Sequence, residues 1–217
     1  MEYVSIIAPN LVQPLADILA KVVDIPTPED PDQPRHGNEL GYSAVASLLC
    51  TVILESFVMR ARFLANHGET AKKHTVHSFL SEQYPDFDAV QEVTEVFILR
   101  DVIAHNHLWR LESTSDRNVW TELLRKELDA ITEAARDKKY KQLVDPSIGR
   151  TRLLCLHVIP TQIDRTDLKK VLNVARNTLN FLSTKEGALL GVEATQAQFR
   201  GNLVNLPNLL AEVLRAI

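Results

Sequence analysis

A long apolar segment in the first third of the chain constrains the fold most. Residues 40 to 66 predict one continuous helix, and from Ala44 to Met59 apolar residues occur on nearly all of its sides. A helix that is apolar all round lies at the centre of a bundle or in an oligomer interface. Its longest apolar run, "LLCTVILESFVM", is interrupted by Glu55 and is too short to span a bilayer. Glu55 then either pairs with Arg62 or Arg100, because buried carboxylates need partners, or marks a polar position that faces a groove.

The segments on either side of this helix also have helical patterns. Leu11, Leu15, Ile18, Leu19 and Val22 share one face, and Pro14 suggests that this first helix begins there. Prolines and acids between residues 24 and 39 predict a solvated loop. Further helices are predicted over residues 70 to 82, 88 to 109 and 118 to 138.

The last third of the chain is predicted to contain two more helices. One begins at Asp164, which can cap it, with Asp167 three residues on and Gly187 after its last turn. The other follows Pro207. Between them and the earlier helices, "TRLLCLHVI" is either a short strand or a buried connector. The predicted fold is mostly α: a helical bundle over residues 1–145 and a C-terminal helical extension over residues 146–217, with room for one short strand or hairpin.

Charge and cysteine content narrow the class of protein. The 217 residues carry a net charge of −4, which disfavours nucleic-acid binding by bulk electrostatics but leaves room for a local basic cleft. The two cysteines, Cys50 and Cys155, lie in apolar sequence and lack metal-ligand spacing, so we expect buried free thiols. Free thiols and an N-terminus without a signal-peptide pattern favour the cytoplasm.

Most enzyme motifs are missing from the sequence. It contains no phosphate loop, GxGxxG, HExxH, CxxC or GxSxG, so no cofactor or metal is expected. What remains is Arg-x4-His, which occurs three times, in "RFLANH", "RDVIAH" and "RLLCLH". The first ends a long helix, and the third lies in the segment predicted as strand or connector, where Arg152 and His157 would point to opposite faces.

The second match, "RDVIAH", has polar partners within one helix. Asp101 precedes His105 by four residues, so the two side chains are neighbours and the carboxylate can hold the imidazole's tautomer. Asn106 adds an amide beside them, and His107 returns to the face of Arg100, where it can bind phosphate or carry a proton. Arg100 lies about 140° round the helix from His105. A second copy of the helix, supplied by a dimer, would complete such a cleft.

The residues of "RDVIAH", with the long helices before it, resemble the HEPN (higher eukaryotes and prokaryotes nucleotide-binding) helical domains. Their signature is Arg-x4–6-His with a polar residue just after the arginine. The resemblance covers roughly residues 8 to 138. It implies a helical bundle that dimerises with its two motifs facing each other, and a metal-independent endoribonuclease that acts as a toxin or defence effector. By position, Arg100 and His105 would be the active-site pair and Asp101 the supporting residue.

The chemistry of RNA cleavage suits these residue types. A histidine can serve as general base or acid, and an arginine fork matches phosphate oxygens and stabilises developing charge, neither of which needs a metal. We therefore expect Arg100, Asp101 and His105 to be catalytic and Asn106 and His107 to bind substrate. The expected partners are RNA, a second copy of the chain and an antitoxin or other protein, with no membrane. The alternative is a non-catalytic interaction or regulatory module of the same fold.

Overall fold

The helix formed by the long apolar segment is the centre of the structure. A computed structural model describes residues 7–26, 37–65, 75–104, 138–145 and 147–217. Its helices are α1 (Ala8–Asp24), α2 (Gly37–Ala65), α3 (Val76–Gln83), α4 (Val90–Ala104), α5 (Lys138–Leu143), α6 (Arg165–Glu186) and α7 (Leu206–Ala216). Its strands are β1 (Val144–Asp145), β2 (Arg150–Thr151), β3 (Gln196–Phe199) and β4 (Asn202–Asn205). The predicted mostly α fold with a short hairpin is confirmed.

Helix α2 packs against α1 on one side and α6 on another. Its side chains at Ile53, Leu54 and Phe57 are fully buried, and they belong to one hydrophobic cluster that runs from α1 to α7. By length and composition alone α2 could cross a membrane, but 56% of its most apolar stretch is buried inside the protein. Its apolar surface is thus mostly covered within a single chain, as in the central helix of a bundle.

Helix α1 starts earlier than its proline suggested. It begins at Ala8, with Pro9 in the first turn, and Pro14 lies inside it. The prediction that the regular part starts at Pro14 was therefore wrong. An interior proline removes one backbone hydrogen bond, and the helix continues because Val12, Leu15 and the apolar residues that follow on this face are buried against the core.

The predicted ends of α6 are confirmed in detail. The Asp164 side chain accepts hydrogen bonds from the backbone N–H groups of Thr166 and Asp167, and the Asp167 side chain accepts one from the N–H of Asp164. This reciprocal arrangement satisfies N–H groups that have no partner within the helix. At the other end, Gly187 has a φ of 64°, a conformation that glycine adopts without strain.

Two antiparallel strand pairs complete the described part of the fold. Strands β3 and β4 are joined by Arg200 and Gly201, whose φ angles are 49° and 85°. Two consecutive positive φ values suit a tight hairpin turn. Strands β1 and β2 form the other pair. The segment "TRLLCLHVI" contributes Thr151 to β2 and otherwise forms an irregular connector between β2 and α6.

The structure also tests the predicted burial of the two cysteines, but it does not describe most of one predicted helix. Cys50 is buried as expected, but Cys155 is exposed, so its predicted burial was wrong. It lies in the irregular connector with a φ of 52°, where apolar neighbours in sequence do not imply a buried side chain. The helix predicted over residues 118 to 138 lies outside the described residues except for its last position.

Candidate functional site

Arg100 lies near the end of α4, with two carboxylates and an aromatic ring close to its guanidinium. Its Nε is 3.1 Å from Asp101 Oδ1, and its Nη1 is 3.9 Å from Glu55 Oε2 on α2. The guanidinium carbon is 5.2 Å from the centroid of the Phe97 ring, within range of a cation–π contact. The side chain is 26% exposed. Of the roles considered for Glu55, the structure favours the ion pair with Arg100. The Arg100 guanidinium lies between this carboxylate, Asp101 and Phe97, and its side chain still reaches solvent.

Asp101 links α4 to α5 through its second carboxylate oxygen. The Tyr140 hydroxyl donates a hydrogen bond of 3.0 Å to Asp101 Oδ2, and the Asp101 side chain is 16% exposed. Tyr140 is buried. No sequence pattern selects this tyrosine, because it lies 39 residues from Asp101 in a lysine-rich stretch typical of a solvated face. Asp101 is thus oriented by two neighbours.

The remaining residues of the predicted site lie outside the described residues. These are His105, Asn106 and His107, which follow directly after Ala104. The structure therefore positions Arg100 and Asp101 and leaves the histidine pairing, the substrate-binding residues and the composite cleft as predictions.

A second polar cluster surrounds His157, a residue outside the site predicted from the sequence. Its Nδ1 is 2.7 Å from Asp167 Oδ2, and its backbone N–H donates to Asp167 Oδ1 at 3.1 Å. Its Nε2 is 2.7 Å from Nη2 of Arg150. Because a guanidinium can only donate, Nε2 must accept, and the ring proton then sits on Nδ1 and faces Asp167. The Asp167 side chain is 1% exposed and that of His157 14%.

The arginine that contacts His157 is not the one that the spacing suggested. Arg152 is half exposed and its Nη1 is 3.8 Å from Asp145 Oδ2. Arg150 instead meets His157 across an isolated antiparallel bridge. This pairing depends on the chain reversing direction between the two residues, which no helical or strand period encodes.

The same cluster has the composition of a metal site but not its hydrogen bonding. One ligand atom each from His157, Asp164 and Asp167 lie within 4.8 Å of one another. However, His157 Nδ1 carries the proton that faces Asp167, and Asp164 Oδ1 accepts the hydrogen bonds that begin α6 at 2.7 and 3.1 Å. A metal at Nδ1 would need the other tautomer, with a proton on Nε2 directed at Arg150. We therefore interpret these residues as a hydrogen-bonded network.

A buried carboxylate on α4 holds the connector that carries this network. Glu95 is fully buried, and its two oxygens accept hydrogen bonds from the N–H groups of Leu153 and Leu154 at 2.8 and 2.7 Å. A buried charge is tolerated when it is hydrogen-bonded in this way. The segment leading to His157 is thus fixed to the helix that carries Arg100.

Comparisons with protein-family models, with curated proteins and with solved structures found no match to this chain. The resemblance to HEPN domains therefore depends on "RDVIAH" and the helical layout alone.

Proposed function

We propose that this chain is a HEPN-type, metal-independent endoribonuclease that acts as a toxin or defence effector. The observation that supports this most is the state of Arg100. A guanidinium that lies next to Asp101, Glu55 and Phe97 and is 26% exposed is placed to meet an anion that arrives from solvent. Pre-organised cations stabilise developing negative charge more effectively than mobile ones.

In this proposal RNA is cleaved by transesterification at the 2′-hydroxyl. His105, five residues after Arg100, exchanges protons with the attacking or leaving oxygen. Arg100 binds the non-bridging phosphate oxygens as a fork. Asp101 positions Arg100 and its neighbours, and Asn106 and His107 contact the substrate.

The proposed enzyme is a homodimer. The apolar side chains of α2 are mostly covered by α1 and α6, so the dimer is argued from the motif instead. Arg100 and His105 are separated by about 140° around one helix. Two facing copies of α4 would bring the arginine of one protomer to the histidine of the other. Light scattering that finds a monomer at micromolar concentration would count against this composite site.

A second candidate function is a non-catalytic interaction module of the same fold. It is favoured by the two carboxylates beside Arg100, since Glu55 and Asp101 already balance its charge. In a module of this kind Arg100 would tie α2 to α4 and contact no substrate.

The experiment that separates the two candidates is RNA cleavage in the presence of EDTA. We expect cleavage to persist in chelator, His105→Ala to lower the rate by about 10²–10⁴ through loss of proton transfer, and Arg100→Lys to fail because an ammonium lacks the planar fork. Asp101→Asn should be milder because it keeps an acceptor oxygen. The matched control is His67→Ala, which removes the histidine of another Arg-x4-His match and should leave the rate unchanged.

Two outcomes would contradict the nuclease proposal. Activity that disappears with EDTA and returns with magnesium would exclude the histidine–arginine mechanism. If no variant differs from wild type in any RNA assay while all remain folded, the non-catalytic module becomes the better interpretation.

A further inference from the structure

Two cations converge on one uncharged oxygen beside His157. Nη1 of Arg150 and Nζ of Lys170 donate to the backbone carbonyl oxygen of Cys155, at 3.2 and 3.4 Å. Within the part of the chain that the structure describes, neither cation has a carboxylate within ion-pair distance. Like charges held this close repel each other, and an anion between them would relieve that repulsion.

The imidazole of His157 lies beside these two cations, in contact with Arg150. Its Nε2 is directed at Arg150, and its Nδ1–H is held by the buried carboxylate of Asp167. If an anion drew the guanidinium away, Nε2 would be free to take up a proton and donate it to the anion. Asp167 would then face an imidazolium, which it is placed to balance. Asp164, the other nearby acid, directs Oδ1 at the first N–H groups of α6.

We propose that Arg150, Lys170 and His157 form a phosphate-binding site, distinct from the Arg100 motif. An arginine fork binds two phosphate oxygens, a lysine adds a point charge, and a protonated imidazole donates one hydrogen bond. The site is open to solvent, because the hydrogen bonds from both cations to the Cys155 carbonyl are exposed. It is also fixed in place, because Glu95 holds Leu153 and Leu154.

The proposal does not depend on RNA cleavage, and its test is a binding measurement. Inorganic phosphate is titrated into the full chain at constant ionic strength, with chloride as the replaced anion, while NMR follows the ring nitrogens of His157. We expect saturable shifts, with Nε2 moving from an acceptor to a protonated donor. Arg150→Gln keeps a donor for Nε2 in the free protein, and we expect it to weaken phosphate binding about tenfold or more, as should Lys170→Gln.

The matched control is Arg152→Gln, which removes an equal charge two residues away. Because Arg152 pairs with Asp145, this variant should bind phosphate like wild type. The absence of saturable shifts, or equal binding by Arg150→Gln and wild type, would overturn the site. Equal weakening by Arg152→Gln would also overturn it, since it would mean that binding reflects net charge.

A second titration distinguishes the source of the phosphate. A single-stranded RNA without a terminal phosphate should produce the same His157 shifts if the ligand is a backbone diester. If only inorganic phosphate produces them, the ligand carries a phosphate monoester. In the phosphate titration a His105→Ala variant should show the same His157 shifts as wild type, so failure of the nuclease proposal and failure of this site remain separable.

Discussion

Replacing Glu95 with glutamine tests whether one buried carboxylate fixes the connector before α6. Both of its oxygens accept backbone hydrogen bonds, from Leu153 and Leu154. Hydrogen bonds to a charged group contribute about 1.5–3 kcal/mol each, and neutral ones about 0.5–1.5 kcal/mol. Glutamine keeps one acceptor and turns a donor toward the other N–H. Since Leu153 is half exposed, water can reach the freed group, and we expect a loss of about 2–3 kcal/mol in the free energy of unfolding.

Urea denaturation measures that free energy, and amide hydrogen exchange locates the change. The two connector amides, at Leu153 and Leu154, should lose protection before the amides of α4 do. Glu92→Gln is the matched control, because Glu92 lies in the first turn of the same helix, where an acid stabilises the protein by at most about 1 kcal/mol. If Glu95→Gln unfolds within about 0.5 kcal/mol of wild type and leaves these amides protected, the anchoring argument is refuted.

Three further predictions follow from other buried or paired groups. Arg165→Met should destabilise the protein by about 3–5 kcal/mol in urea denaturation, because it removes the cation that pairs with the buried carboxylate of Glu39. A loss below about 1 kcal/mol would contradict this prediction. The Lys185 ammonium lowers the pKa of the Asp86 carboxyl, so the pair stabilises above the unfolded-state pKa and is lost as pH falls through the folded one. The Lys185→Met substitution should return the pKa of Asp86 to its ordinary range, and an NMR titration measures that pKa. Burial raises the pKa of the Cys50 thiol to about 12, so a thiol reagent at neutral pH should modify only exposed Cys155 until the chain is denatured.

Helix positions were predictable where local signals and burial agree. In α6 the capping residues Asp164 and Asp167 and the terminal Gly187 act within a few residues of one another, so sequence alone located both ends. At Pro14 the local signal and the burial of α1 conflict, and tertiary packing determined where the helix starts. The position of the β3–β4 hairpin was missed, although Gly201 and the polar–apolar alternation of the sequence Gln196–Phe199 were usable signals.

The candidate site was predictable only in part, for a physical reason. Arg100 and Asp101 are adjacent in sequence, and their contact follows from that alone. Tyr140 contacts Asp101, 39 residues away in sequence, and Arg150 contacts His157 across an isolated antiparallel bridge; spacing within one helix or strand encodes neither contact. The tautomer of His157 could not be predicted from the sequence either, because it depends on which group contacts each ring nitrogen.

The way in which α1 ends has a consequence for biosynthesis. The Arg165 guanidinium donates to the carbonyls of Val22 and Ile25, at 2.9 and 2.6 Å, across 143 and 140 residues of sequence. At typical translation rates roughly 7–30 s separate the emergence of these partners from the ribosome. During that interval α1 lacks this cap, and α2 lacks α6 to cover its buried face. Nascent or truncated chains that stop before α6 therefore expose the most apolar helix of the described structure, and they should be the species that aggregates or is captured by chaperones.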